Sequence, residues 1–223
     1  MPQKWIKLQW KDSYQKEKFP AMSKHIHSIL CLGDSYTIGE GLPLHQSFPY
    51  QTVQLLRKEG FSFHAPEIVA QTGWTTFELA EHLIHHSFEE QYDFVTLLIG
   101  VNNQYRSLAV EDFAEDFEYL LKKAIALCTG NEKQVLAISI PDWGVTSFAK
   151  DRDASDIADS IDSHNSTASL LAAKYNVAWL DITTDYRKMG GDTEMLANDG
   201  LHPSAGIYRL WAAGVRDFMV KMI

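Results

Sequence analysis

The chain has 223 residues, of which 45% are hydrophobic and 22% are charged, and its formal net charge is −9 at pH 7. This length and composition are typical of one globular domain that buries a sizeable core. The acidic balance and the scattered lysines and arginines argue against a nucleic-acid partner, because phosphate binding needs clustered positive charge.

The first segment, residues 1–24, is polar and rich in lysine, and it precedes the first clear strand. It contains no apolar core long enough for a signal peptide, and no later run is long enough for a membrane span. We therefore expect an N-terminal appendage over residues 1–24, a single domain over residues 25–223 and a cytoplasmic location. Cys31 and Cys128 lack metal-site or redox spacing, so we expect two buried, reduced thiols.

The first strand is the apolar run Ile29-Leu30-Cys31-Leu32, which stops at Gly33-Asp34-Ser35. Helices and strands then alternate along the chain. Helices are predicted over 47–60, 75–88, 109–130, 156–176 and 206–222, and further strands over 66–73, 93–100, 134–140 and 177–182. This alternation implies right-handed βαβ units. We predict an α/β, three-layer flavodoxin-like fold with a central parallel sheet of about five strands.

The helix predicted over 75–88 shows the clearest amphipathic pattern. Apolar residues recur at intervals of three or four, and Thr75 stands ahead of them as a cap. The apolar positions are Phe77, Ala80, Ile84 and Phe88. These four residues are therefore the predicted buried face of this helix.

Polar residues and glycines follow the apolar strands, at the positions where an open parallel sheet collects its chemistry. Ser35 follows the first strand, Gly73 the second and Asn102 the third. The stretch "NDGLHPSAG" adds Asp199 and His202 just before the last helix. The carboxyl ends of parallel strands lie on one edge, so these residues can converge there. A hydroxyl, an imidazole, a carboxylate and hydrogen-bond donors are what nucleophilic acyl transfer needs.

Each of these residues also has an ordinary structural alternative. Ser35 could be a helix N-cap, Gly73 a helix-entry glycine and Asn102 a turn residue. Asp199 and His202 could be a cap and a surface imidazole. Taken singly, the residues leave these alternatives open, and only their joint occurrence in one order favours the catalytic interpretation.

The order of these motifs resembles that of the SGNH hydrolases, also called the GDSL esterase/lipase family, from about residue 28 to the last helix. Four blocks carry the resemblance: Gly33-Asp34-Ser35 for the nucleophile, Gly73 for the glycine, Gly100-x-Asn102 for the asparagine and Asp199-x-x-His202-Pro203 for the acid and base. Tyr36 stands where the family has Leu, and Asn103 where it often has Asp. These departures bear on substrate preference more than on catalysis.

The resemblance implies a serine esterase acting on small or medium carboxylic esters, with acetylated carbohydrates among the candidates. His202 would deprotonate Ser35, and Asp199 would orient the imidazole. The backbone N–H groups of Ser35 and Gly73 and the amide of Asn102 would form the oxyanion hole. A lysophospholipase or thioesterase of the same family and a noncatalytic flavodoxin-like binding domain are the alternatives.

Aromatic residues near the predicted site suggest a substrate pocket. Trp74 follows the oxyanion glycine, and Trp143 and Phe148 lie in the loop after the fourth strand. They form either an aromatic wall for the substrate or ordinary packing. Serine chemistry requires no metal or other cofactor, and we expect none. The remaining candidate ligands, His45, His82, His85, His86 and His164, are predicted to lie on solvated faces.

Overall fold

The computed structural model describes residues 25–223, and the predicted appendage over residues 1–24 lies outside this part of the chain. The sheet contains β1 (Ile29–Gly33), β2 (Glu67–Ala70), β3 (Phe94–Leu98), β4 (Val135–Ile138) and β5 (Ala178–Leu180). All neighbouring strands are parallel, in the order β2-β1-β3-β4-β5. This order is flavodoxin-like, and it confirms the predicted α/β fold with a five-stranded parallel sheet.

Helices connect the strands and cover the sheet. They are α1 (Ser35–Ile38), α2 (Phe48–Lys58), α3 (Thr76–His85), α4 (Val101–Tyr105), α5 (Val110–Leu127), α6 (Ala154–Lys174), α7 (Thr183–Met189) and α8 (Ala205–Val220). The sequence analysis interprets α4 as a break after a strand and α7 as irregular chain, because both are too short to show helical periodicity. Among residues 25–223, no helix combines the length and apolarity needed to cross a bilayer.

The hydrophobic core lies on both faces of the sheet. In β1, Ile29 and Cys31 belong to one buried cluster, and Leu30 and Leu32 belong to the other. This alternation is expected for a strand buried on both faces. Helices α2 and α8 pack together over the first face, and α3 and α5 pack together over the second. The result is three layers with the sheet in the middle.

Helix α3 begins as predicted but buries a different face. Thr75 caps it in a reciprocal capping box with Glu78. Phe77 and Ile84, predicted to be buried, are 61% and 65% exposed. Ala80 is buried as predicted, and the other buried positions are Thr76, Leu79 and Leu83. The prediction is wrong for Phe77 and Ile84. The positions of Leu79 and Leu83 also have helical spacing, and packing of α3 against α5 buries these two side chains instead.

Two predictions about buried titratable residues have opposite outcomes. Cys31 and Cys128 are free and buried as predicted, and burial raises the pKa of each thiol to about 12. The prediction of a solvated His164 is wrong. His164 is buried, and its ring centroid lies 5.0 Å from that of Phe113. Its Nδ1 lies 2.8 Å from the Ser160 carbonyl oxygen. His164 is therefore a core residue of α6.

Candidate active site

The site lies where the connections from neighbouring strands diverge. The chain leaves β1 toward β2 on one side, and it leaves β3 toward β4 on the other. Ligands of open α/β sheets bind at such a switch point, beyond the carboxyl ends of the strands. Ser35 begins α1 just after β1, and Asn102 lies in the first turn of α4 just after β3. The topology therefore brings these two residues to one place.

In the turn between β1 and α1, the Ser35 hydroxyl does not cap the helix and can hydrogen-bond with another residue. Asp34 is the N-cap of α1, and its Oδ1 accepts the N–H of Tyr36 at 3.0 Å. The capping function considered for Ser35 therefore belongs to Asp34. A Cβ on Gly33 would lie 2.3 Å from the Leu98 carbonyl oxygen. Only glycine permits this close approach of β1 to β3 at the start of the turn.

Ser35, His202 and Asp199 form a continuous hydrogen-bonded line. The Ser35 Oγ lies 2.9 Å from His202 Nε2, and His202 Nδ1 lies 2.6 Å from Asp199 Oδ2. An ionised carboxylate only accepts hydrogen bonds, so Nδ1 carries the proton and Nε2 accepts from the serine hydroxyl. This is the arrangement in which an imidazole can remove a proton from serine.

A tight loop fixes Asp199 under the imidazole. Its Oδ1 accepts the N–H groups of Leu201 at 2.9 Å and of His202 at 3.0 Å. Burial opposes ionisation of Asp199, but the hydrogen bonds from the His202 ring and from these N–H groups outweigh it and hold the carboxyl pKa below its ordinary value. The aspartate therefore remains charged beside His202 at neutral pH.

Helix α4 holds the loop that contains Gly73. The Nδ2 of Asn102 donates to the carbonyl of Trp74 at 2.9 Å, and the Arg106 guanidinium donates to the carbonyl of Gly73. Gly73 has a φ of +84°, which explains why this position is glycine. Arg106 also pairs with Glu78 at 3.3 Å. The sequence analysis missed Arg106 because it did not predict α4.

Asn103 holds the next part of the same loop. Its Oδ1 accepts the N–H of Thr76 at 3.0 Å, and its Nδ2 donates to the Thr76 hydroxyl at 2.8 Å. The hydroxyl in turn lies 3.1 Å from Asp116 Oδ2. A hydroxyl has one hydrogen, so it accepts from Asn103 and donates to Asp116. The network requires an amide donor at position 103, which an aspartate cannot supply.

Ser35 and His202 border a small cleft of about 200 Å³, and Gly73 and Asn102 also line it. Most of its lining is apolar: Tyr36, Val101, Tyr105, Trp143, Phe148 and Leu201. Trp143 is buried, and its Nε1 donates to Gln104 Oε1 at 2.7 Å. The Trp74 ring lies outside this lining, 4.8 Å from the His82 ring. Of the two tryptophans predicted as pocket walls, only Trp143 lines the cleft.

An ion pair anchors the loop that carries Trp143. Asp142 is buried, and its Oδ2 lies 2.7 Å from the Nε of Arg187 in α7. Its Oδ1 accepts the N–H of Gly144 at 2.9 Å. The sequence analysis missed Arg187 because it did not predict α7. The pair holds Trp143 in place without any contribution from substrate.

Comparisons with known proteins agree with this architecture. The model of the GDSL-like lipase/acylhydrolase family matches residues 31–210, a span that contains Ser35, Asp199 and His202. A search of curated proteins finds no significant match. The solved structure of TesA superposes with a TM-score of 0.71 at 20% identity, covering 88% of this chain and 100% of that chain.

Two further solved structures show the same fold. A lipase/acylhydrolase from Enterococcus faecalis has a TM-score of 0.67 at 22% identity, covering 86% of this chain and 94% of its own. A mutant of an acetyl-xylooligosaccharide esterase from Geobacillus has a TM-score of 0.67 at 18% identity, covering 86% of this chain and 95% of its own. At these identities the likeness is one of fold.

Proposed function

This chain belongs to the GDSL-like lipase/acylhydrolase family, and from that premise we propose that it is a serine esterase that forms an acyl-enzyme on Ser35. Membership of the family makes the chain a carboxylic-ester hydrolase. The observation that carries the choice of nucleophile is the hydrogen-bonded line from Ser35 Oγ through His202 to Asp199. A noncatalytic binding domain would not need a serine, a histidine and an aspartate hydrogen-bonded in series beside a cleft.

The reaction proceeds in two halves. Ser35 Oγ attacks the ester carbonyl carbon while His202 Nε2 takes the serine proton, and the tetrahedral intermediate collapses when His202 returns that proton to the departing alcohol. Water then attacks the acyl carbonyl carbon while His202 takes a proton from it. The second tetrahedral intermediate collapses when His202 returns this proton to Ser35 Oγ, which releases the carboxylic acid and restores the free serine. Asp199 holds the imidazole and stabilises its positive charge throughout.

Three donors would stabilise the oxyanion. The N–H of Ser35 lies in the first turn of α1, where backbone N–H groups lack an intrahelical acceptor. Gly73 and Asn102 border the same cleft, and the other two donors would be the N–H of Gly73 and the second amide N–H of Asn102. Removing one such donor typically costs about 3 kcal/mol of transition-state stabilisation.

The cleft favours short acyl groups. Its volume of about 200 Å³ is below the roughly 300–1,000 Å³ typical of sites for drug-sized ligands. The apolar lining suits the hydrocarbon part of an acyl group. We therefore propose acetyl and butyryl esters as better substrates than palmitoyl esters. Three of the lining residues, Tyr105, Trp143 and Phe148, are aromatic, which favours acetylated carbohydrates as a second candidate.

The test is Ser35→Ala, assayed with p-nitrophenyl acetate and butyrate beside a panel of acetylated sugars, a lysophospholipid and an acyl thioester. We expect kcat/KM to fall by at least about 10⁴-fold, because the attacking oxygen is gone. Ser166→Ala, at an exposed position of α6, is the matched control and should retain full activity. An organophosphonate should label the peptide that contains Ser35. Near wild-type turnover by Ser35→Ala would refute the proposal.

A further inference from the structure

Three side chains that could bind a metal ion lie together at the amino-terminal ends of β1 and β3, whereas the cleft lies at the carboxyl ends of the strands. His25 and His27 precede β1, and Asp93 immediately precedes β3. At about 3.3 Å per residue, the five residues of β1 place roughly 17 Å between these amino-terminal ends and the catalytic turn. The cluster therefore has no part in the site described above.

The carboxylate of Asp93 is oriented by Ser28. One oxygen, Oδ2, accepts the Ser28 N–H at 2.8 Å and the Ser28 hydroxyl at 3.2 Å. The other oxygen, Oδ1, faces both imidazoles, at 2.7 Å from His25 Nε2 and 3.7 Å from His27 Nδ1. Metal-binding carboxylates are commonly fixed by outer hydrogen bonds of this kind.

His27 is the residue that this surrounding structure leaves unsatisfied. Within residues 25–223, neither of its ring nitrogens has a hydrogen-bond partner, and both are buried. The ring packs 5.0 Å from Phe63 and 6.4 Å from Phe94. A buried polar group without a partner is costly, and a bound cation would supply one.

We propose that His25, His27 and Asp93 bind a zinc ion. Alternate residues of an extended segment point to one side, which brings the two imidazoles to the same carboxylate. The three ligand atoms lie within 4.8 Å of one another. Zinc bonds of about 2.0–2.1 Å in a tetrahedron place ligand atoms about 3.3 Å apart. The separations of 2.7 Å and 3.7 Å from Asp93 Oδ1 lie on either side of this value.

The zinc would act on stability and not on the reaction. It would join the segment before β1 to the start of β3, two elements that are distant in sequence but adjacent in the sheet. A ligand that binds only the folded chain stabilises it by mass action. Zinc should therefore raise the melting temperature, while removal of zinc with EDTA should leave ester hydrolysis unchanged.

The experiment uses the full chain without an affinity tag, dialysed against EDTA and titrated with ZnCl₂ by calorimetry. We expect one zinc per chain, a higher melting temperature and, with Co²⁺, the intense visible absorption of a tetrahedral site. The key variant is His27→Phe, which retains the packing between Phe63 and Phe94 but offers no nitrogen. Loss of a direct ligand should weaken zinc binding by at least about 100-fold.

The matched control addresses a competing histidine pair. His82 and His86 lie on α3 with ring centroids 5.3 Å apart. His86→Gln removes half of this pair and should bind zinc like the wild type. If His27→Phe does not fold, Asp93→Asn tests the same site while retaining an acceptor for Ser28. Failure of the wild type to bind one zinc per chain in the titration, or loss of binding in His86→Gln with retention in His27→Phe, would overturn the proposal.

Discussion

The side-chain amide of Asn102 donates a hydrogen bond to the main-chain carbonyl of Trp74 at 2.9 Å, and so links the connections that follow β3 and β2. This bond uses one of the two amide N–H groups. Asn102 also borders the cleft beside Ser35 and Gly73. The amide is therefore fixed before substrate binds, which is the preorganisation that oxyanion stabilisation requires.

Asn102→Ala should lower kcat for p-nitrophenyl butyrate by about 10²- to 10³-fold with little change in KM. The reason is that the remaining N–H would bond mainly to the oxyanion that develops in the transition state. The measurement is steady-state kinetics at fixed pH, with the exposed Asn131→Ala as a control of equal chemistry. A change confined to KM would instead make Asn102 a ground-state binding residue.

The long elements of the fold could be predicted from the sequence because their patterns are local. The continuous apolar runs of β1 and β3 and the acidic start of α5 each identify an element without knowledge of its neighbours. The helices α4 and α7 have too few residues to show a period. In α3, Phe77 and Leu79 both belong to stripes with helical spacing, and only contact with α5 distinguishes them.

The candidate site could be predicted as residues but not as contacts. The positions of Ser35 and Asn102 follow from the ends of β1 and β3 and from the resemblance to a family. The bond from Arg106 to Gly73, the ion pair of Asp142 with Arg187 and the meeting of His27 with Asp93 join residues far apart in sequence. No spacing rule within the chain predicts such pairs, since tertiary packing decides them.

Asn103→Asp should destabilise the protein at neutral pH. The new carboxylate could only accept, so the single hydrogen of the Thr76 hydroxyl could not serve both it and Asp116. Burial and the nearby Asp112 already raise the pKa of Asp116, against the opposing effect of the Thr76 hydroxyl. We expect the free energy of unfolding at pH 8 to fall by about 2–4 kcal/mol.

The pH dependence of this loss distinguishes its cause. A carboxyl whose pKa is raised by folding contributes most to stability below its unfolded pKa of about 4, and that contribution is lost as the pH rises. The cost of Asn103→Asp, measured by urea unfolding, should therefore be smaller at pH 5 than at pH 8. Asn131→Asp adds the same charge at an exposed position and should cost little at either pH. Equal costs at both pH values would contradict this explanation.

Asp34→Asn should make stability less dependent on pH. Burial raises the pKa of Asp34 to about 7, well above its unfolded value near 4. Because folding raises this pKa, the stability that Asp34 contributes is fully present below about pH 4 and is lost as the pH rises toward 7. Asparagine can retain the capping bond to the Tyr36 N–H but does not titrate.

The measurement is urea unfolding of the wild type and of Asp34→Asn at several pH values between 4 and 8. We expect the variant to gain stability relative to the wild type as the pH rises. A difference in free energy that stays constant over this range would show that Asp34 has the same pKa in the folded and unfolded chain.

Phe148→Ala should extend the acyl chains that the enzyme accepts. Phe148 borders the cleft, with its ring centroid 6.1 Å from that of Trp143, and it is 45% exposed, so its loss opens the cleft to solvent without disturbing the core. Each additional buried methylene contributes about 0.8 kcal/mol. If about two methylenes of an octanoyl chain occupy the space that Phe148 leaves, the ratio of kcat/KM for octanoyl to acetyl p-nitrophenyl esters should rise about tenfold, while acetyl hydrolysis changes little. Phe77→Ala, the same truncation at an exposed position of α3, should leave the ratio unchanged. If the chain-length profile of Phe148→Ala matches that of the wild type, the acyl group does not lie against Phe148. If wild-type kcat/KM itself rises beyond ten acyl carbons, the short-acyl proposal fails and a lipase or lysophospholipase takes its place.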